Sequence, residues 1–123
     1  MTELGSRGEK LVAEHYKKLG YRVLNTNYIF PRGKQVGELD LVVQKNKELV
    51  FVEVKTRSSN KFGTPFEAVN IYKQRKLVKM ANLYLMIHPE FADYDYRIDV
   101  AAVDIDNSQN SVIILTNAIE DLD

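Results

Sequence analysis

Apolar positions recur along this chain with two different periods, and the changes of period divide it into elements. Leu11, Val12, Tyr16 and Leu19 fall on one side of a helical wheel, while Lys10, Glu14, Lys17 and Lys18 fall on the other. This predicts an amphipathic helix over residues 4–19, with Gly20 at its stop. Residues 21–29 read as a strand, and 30–37, with Pro31, Gly33 and Gly37, as a loop. Two strands rich in valine and leucine are expected at 37–44 and 49–56, separated by Lys-Asn-Lys-Glu, with a polar loop over 57–63. Thr64-Pro65-Phe66-Glu67 has the form of a helix start: Thr as N-cap, Pro at the first helical position and Glu at the third. The apolar phase then changes, because Leu77, Val78, Ala81, Tyr84 and Leu85 share a face that Ala68 and Val69 do not join. The pattern predicts a short turn or helix, then a main helix over 70–87 ended by His88-Pro89. Two more strands, 96–104 and 111–116, flank the polar turn 106–110. The order α-β-β-β-α-β-β predicts an α/β fold with a central mixed sheet flanked by helices.

Composition narrows the class. With 123 residues, 45% of them hydrophobic and 28% charged, the chain reads as one globular domain, 1–123, with an acidic tail over 117–123. No stretch approaches the roughly 18–20 apolar residues that span a bilayer, and MTELGSRGEK lacks the apolar run of a signal peptide. A cytoplasmic protein without a membrane partner is expected. There are no cysteines, and His15 and His88 are far apart in sequence, which excludes disulfides and thiolate or zinc-type sites. The formal net charge of zero argues against a strongly cationic, non-specific nucleic-acid binder. Local clusters matter more: Arg32 and Lys34 in a loop, Arg57 and Lys61, and Lys73 with Arg75, Lys76 and Lys79. Each fits either a solvated surface or a phosphate-facing patch.

The central hairpin concentrates the candidate chemistry. A turn at Asn46-Lys47 pairs Lys45 with Glu48, and the same register sets Asp40 opposite Glu53 and Glu38 opposite Lys55. Alternation puts all four on one face. Directly opposed Cβ atoms lie about 4.5–5.5 Å apart, so Asp40 and Glu53 repel unless a proton or a hard cation such as Mg²⁺ or Mn²⁺ neutralises them. A salt-bridge ladder on an exposed face would use the same residues. Against it, Leu49 and Phe51 share the face of Glu53, and Val50, Val52 and Val54 make the other face apolar too, so this strand reads as buried on both sides. Glu9 lies at the edge of the first helix's apolar stripe, beside Gly5 and Gly8, where it either snorkels to water or needs a partner.

Asp40 followed by Glu53-Val54-Lys55 resembles the D…ExK signature of the restriction-endonuclease-like, or PD-(D/E)xK, superfamily. A glutamate in the first helix resembles the extra acid of its archaeal Holliday-junction-resolvase branch. More specifically, GxxGE at 5–9, GELDLVV at 37–43, FVEVKTR at 51–57, FGTPFEAV at 62–69 and RIDV at 97–100 resemble the bacterial YraN-like proteins over nearly the whole chain. Leu39 stands where the superfamily often has proline. The resemblance implies a restriction-endonuclease-like fold and a Mg²⁺- or Mn²⁺-dependent endonuclease hydrolysing DNA phosphodiester bonds, structure-selective in repair or recombination. The alternative is a non-catalytic nucleic-acid-binding protein that retains the fold. It further implies Asp40, Glu53, the Val54 carbonyl and Glu9 as metal ligands, and Lys55 as the residue that positions or activates water. Glu38 and Gln74 would support these from behind, and Arg32, Lys34, Arg57, Lys61 and Lys73 would face the nucleic acid. A homodimer, common among junction-resolving members, is allowed. Asp99 reads more simply as a partner for Arg97 or nearby backbone than as a catalytic group.

Overall fold

The computed structural model describes residues 3–31, 37–58, 69–105 and 110–119. Helix α1 (Glu3–Lys18) leads into strand β1 (Arg22–Ile29) and the hairpin β2 (Glu38–Lys45) and β3 (Glu48–Arg57). Helix α2 (Ile71–Ile87) and a 3₁₀ turn (Pro89–Phe91) precede β4 (Asp95–Ile105) and β5 (Asn110–Ile119). The described strands form one sheet in the order β1-β2-β3-β4-β5. Every neighbouring pair is antiparallel except β3 and β4, which run parallel. A parallel pair needs a crossover, and α2 supplies it.

The sheet is covered on both faces. Val12 and Tyr16 of α1 pack with Leu41, Val43, Val50, Val52, Ala101 and Val103. Leu77, Met80, Ala81 and Tyr84 of α2 pack with Val42, Leu49, Phe51, Ile98 and Val100 on the opposite face. Alternate residues of β3 thus enter different cores, which is why its sequence is apolar at nearly every position. This is the predicted α/β architecture with a central mixed sheet flanked by helices, consistent with a restriction-endonuclease-like fold.

Local chemistry sets the boundaries. Gly20 has φ +94°. Its N–H donates to the Lys17 carbonyl at 3.0 Å and the Tyr21 N–H donates to the Tyr16 carbonyl at 3.0 Å, which closes α1 in a Schellman cap. At α2 the Asn70 Oδ1 accepts from the Lys73 N–H at 2.9 Å, an N-cap that fixes where the first turn begins. Asn46, at φ +53°, makes the tight turn between β2 and β3.

Two expectations need correction. The hairpin register runs as predicted from Lys45–Glu48 to Leu41–Val52 and stops there, so Asp40–Glu53 and Glu38–Lys55 are not ladder pairs. Strand β5 continues past Thr116 and takes in Asn117–Ile119, the start of the segment read as a tail. Asn117 adopts φ +52° where the β4–β5 register shifts, so the strand absorbs a bulge and then resumes pairing, with Ile119 opposite Ile98. The Thr64–Glu67 helix start, Arg32, Lys34, Lys61 and residues 120–123 lie outside the described residues.

Candidate metal centre

The site lies where the β2–β3 ladder ends. Beyond Leu41–Val52, β2 continues to pair with β1 as far as Glu38, while β3 continues alongside β4 as far as Arg57. The two strands form a fork. Asp40 stands on one arm, Glu53 and Lys55 on the other. Asp40 Oδ2 accepts the Val54 N–H at 2.9 Å, so a side chain takes the place of a backbone carbonyl. Simple alternation along β2 also slips here: Leu39 and Val42 enter the α2-side core, whereas Leu41 and Val43 enter the α1-side core. In a strand the N–H and C=O of one residue point the same way. The Val54 carbonyl therefore faces the fork beside Asp40.

Glu53 is 4% exposed. Lys73, in the first turn of α2, brings its ammonium to 3.0 Å from Glu53 Oε2. The contact is an ion pair without hydrogen-bond alignment, and Oε2 has no hydrogen-bond partner among the described residues. Burial pushes the Asp40 carboxyl far above the usual carboxylate range, and its hydrogen bond to Glu53 and the charge of Glu53 push the same way, against the Val54 N–H. Burial acts upward on Glu53 too, but the hydrogen bond from Asp40 and the ammoniums of Lys73 and Lys55 outweigh it and hold Glu53 low. Without a cation, then, the pair favours holding a proton, with Asp40 the group pushed up and Glu53 the group held low.

Glu9 approaches from α1. Its carboxyl is pushed up by burial, with Glu38 and Glu53 adding to the rise, while a hydrogen bond from Asn27 opposes it. Asp40 in turn feels the charge of Glu9. Glu9, Glu38, Asp40 and Glu53 thus form one electrostatic cluster. Gly8 makes this approach close: a Cβ there would lie 1.8 Å from Thr56 Oγ1 on β3.

The oxygens present suit a hard divalent cation: two carboxylates, a backbone carbonyl and no sulfur. The buried Glu53 Oε2 is the observation that favours the fit: it has no hydrogen-bond partner among the described residues and already draws a cation, the Lys73 ammonium at 3.0 Å. Among the described residues no three His, Asp or Glu side chains are placed to hold a metal by themselves. Neutral oxygens would have to complete the shell, and Glu9 stands near the pair without joining it as a third ligand.

The other expected residues fall as follows. Gln74 donates its amide to the Val69 carbonyl at 3.0 Å, securing the entry to α2. Arg57 pairs with Asp104 at 2.7 Å. Asp99 is fully buried and accepts from Tyr16 Oη at 2.7 Å, Arg97 Nε at 3.0 Å and the Asn117 N–H at 2.8 Å. It anchors α1 and the β5 bulge to β4, a structural role. Sequence reading missed the partnership of Lys73 with Glu53. The signal was there, since Lys73 is one turn before Leu77 and two before Met80 on the buried stripe of α2. It also missed Asn27, though asparagine is an unusual strand residue.

A model of the Uncharacterised protein family UPF0102 matches residues 8–103. The chain is 39% identical to a UPF0102 protein of Caldicellulosiruptor bescii, over 98% of this chain and 97% of the relative. It is 42% identical to one from Caldanaerobacter subterraneus, over 81% and 78% of the two chains. With a third, from Alkaliphilus metalliredigens, it shares 38% identity over 94% and 96%.

Proposed function

The chain belongs to the UPF0102 family, the YraN-like proteins, and from that premise we propose that it is a divalent-metal-dependent endonuclease that hydrolyses phosphodiester bonds in DNA. The observation that carries this reading is the carboxylate pair in the fork between β2 and β3: a buried Glu53 beside a half-buried Asp40 that is held by the Val54 N–H at 2.9 Å. A hard cation between the two carboxylates would relieve their repulsion in place of a proton.

In this reading Asp40, Glu53 and the Val54 carbonyl hold Mg²⁺ or Mn²⁺, and a cation bound there lowers the pKa of a water and screens the phosphate charge. The chain's own residues do the rest. The Val54 N–H fixes the Asp40 carboxylate in one orientation. Lys55, on the same face of β3 as Glu53, presents an ammonium to a phosphate oxygen or the attacking water and offsets charge as it develops. Glu9 accepts a water proton from the α1 side or orients the water that carries it. Lys73, released from Glu53, is free to meet the phosphate backbone. A chain this small has little surface for reading bases, so selectivity is expected for DNA structure rather than sequence.

The test is cleavage of linear, single-stranded, flapped and four-way-junction DNA in Mg²⁺ or Mn²⁺ by the protein and by Asp40→Ala, Glu53→Ala and Lys55→Ala. Loss of roughly 100-fold or more in each variant is expected. Cleavage that survives all three substitutions rules the assignment out. DNA binding without cleavage by the unsubstituted protein would instead favour a non-catalytic binding protein.

A further inference from the structure

Asn27 sits in the middle of β1 with φ +51°, a left-handed conformation inside a strand. The register shifts between Val23 and Asn25 but is constant from Asn25 to Ile29. Thr26 pairs with Leu41 and Tyr28 with Leu39, which brings Asn27 level with Asp40 on the neighbouring strand. Its side chain lies close enough to Glu9 to stabilise that carboxylate. A carboxylate accepts hydrogen bonds, which suits the amide nitrogen on the Glu9 side. The amide oxygen is buried and has no hydrogen-bond partner among the described residues. The only other buried side-chain oxygen so placed among them is Glu53 Oε2.

Two acceptors without a hydrogen bond thus lie on the strands that flank Asp40, and Glu53 Oε2 meets only the Lys73 ammonium. In a folded protein buried acceptors are nearly always satisfied, and an exception calls for an ion, a water or a function. The two carboxylates also need neutral oxygens beside them, because the described residues offer no third acidic or histidine ligand. An amide oxygen is a suitable donor for a hard cation.

We propose that Asn27 is a further residue of the cation site, its Oδ1 supplying an oxygen to the cation or to a water bound on it while its Nδ2 holds Glu9 in place. The proposal rests on the metal-dependent reading above and adds a residue that the D…ExK signature does not contain. It also gives the backbone at Asn27 a reason. The left-handed conformation, which asparagine tolerates better than most residues, occurs level with Asp40.

Mn²⁺ binding, measured by calorimetry and by the electron paramagnetic resonance signal of free Mn²⁺, tests this without reference to cleavage. The informative variant is Asn27→Gly, which keeps the backbone conformation accessible and removes only the carboxamide. It is expected to melt close to the unsubstituted protein and to bind Mn²⁺ roughly 10- to 100-fold more weakly. Asn27→Asp keeps an oxygen at the position and is expected to bind Mn²⁺ more tightly than Asn27→Gly. If Asn27→Gly binds Mn²⁺ as the unsubstituted protein does, Asn27 is only a backbone device and the proposal fails. Asp40→Asn separates this from failure of the underlying reading. If the unsubstituted protein binds no Mn²⁺, or Asp40→Asn binds it equally well, there is no cation site in the fork and both fall.

Discussion

Asp40 Oδ2 accepts the Val54 N–H at 2.9 Å, across strands whose ladder has already ended at Leu41–Val52. This contact lets the sheet open without leaving a backbone donor unsatisfied. It also turns the Asp40 carboxyl toward Glu53 and the Val54 carbonyl into the same opening. A backbone irregularity and a chemical site are here one feature: the carboxylate that would bind a cation is also the group that repairs the edge of the fork.

The proton held by this pair makes stability and metal binding depend on pH. Asp40 has a raised carboxyl in the folded chain, so the folded form keeps a proton that the unfolded chain releases in the ordinary carboxylate range. Its contribution is therefore fully present below that range and is lost as pH rises through the raised value. Glu53 is held low, and its contribution has the opposite sign, lost only in stronger acid. Above the ordinary carboxylate range the metal-free protein should thus lose stability with rising pH, and Asp40→Asn should flatten the curve. A cation must displace the proton, so apparent Mn²⁺ affinity should rise about tenfold per pH unit while Asp40 remains protonated. Thermal melts and calorimetry between about pH 6 and pH 8 would decide it. A Mn²⁺ affinity that does not change with pH would contradict the shared proton.

Lys73 occupies Glu53 in the metal-free protein, with its ammonium 3.0 Å from Oε2. A cation binding to the pair must compete with that charge. Lys73→Met should therefore tighten Mn²⁺ binding several-fold, with a stability loss of only about 1 kcal/mol because the lysine end of the pair is partly exposed. Calorimetry on the two proteins at one pH measures the first and urea unfolding the second. Weaker Mn²⁺ binding in Lys73→Met would mean that the ammonium organises Glu53 instead of competing for it.

How much of this could be read from the sequence follows from the range of each interaction. Apolar periodicity is local, and it placed α1, the central hairpin and α2 within a residue or two, because Gly20, Asn46 and Asn70 act on their immediate neighbours. The hairpin register was legible for the same reason and gave Leu41–Val52 correctly. It failed one step further on, at Asp40, where a side chain replaces the backbone ladder and alternation no longer fixes the face. Asn117 defeated the end of β5 in the same way. The role of Asp99 was narrowed to a bond with Arg97 or nearby backbone, but its bond to Tyr16 spans the two ends of the chain and no local pattern encodes it. Lys73 was read as facing nucleic acid or solvent because its partner is on another element.

The Asp99 network predicts a separation between fold and site. Its carboxylate is fully buried and takes hydrogen bonds from Tyr16, Arg97 and the Asn117 backbone. Asp99→Ala strands all three donors and should cost about 3–5 kcal/mol. Tyr16 belongs to the α1-side core, whereas Glu53 meets Lys73 of α2, so Mn²⁺ affinity of the folded fraction should stay within about twofold of the unsubstituted protein. Denaturant unfolding and calorimetry below the melting point test both halves. A large loss of Mn²⁺ binding at unchanged stability would place Asp99 in the cation site instead.

Gly8 offers a test of how α1 delivers Glu9. A Cβ at Gly8 would fall 1.8 Å from Thr56 Oγ1, 2.8 Å from its Cβ and 2.9 Å from its Cγ2. Rotating the threonine cannot relieve contacts with its own Cβ, so Gly8→Ala must push α1 away from β3. In a helix interior glycine to alanine normally gains about 1 kcal/mol; here overpacking of about 1–3 kcal/mol or more opposes that gain, and a net loss of stability is expected. Because Glu9 is the next residue, the same displacement should weaken its contact with Asn27 and the carboxylate pair. The double variant Gly8→Ala, Thr56→Gly removes the obstructing side chain and should recover part of the stability that Gly8→Ala loses relative to Thr56→Gly alone. A double-mutant cycle in urea measures that coupling, and additive losses would mean that the two residues do not meet.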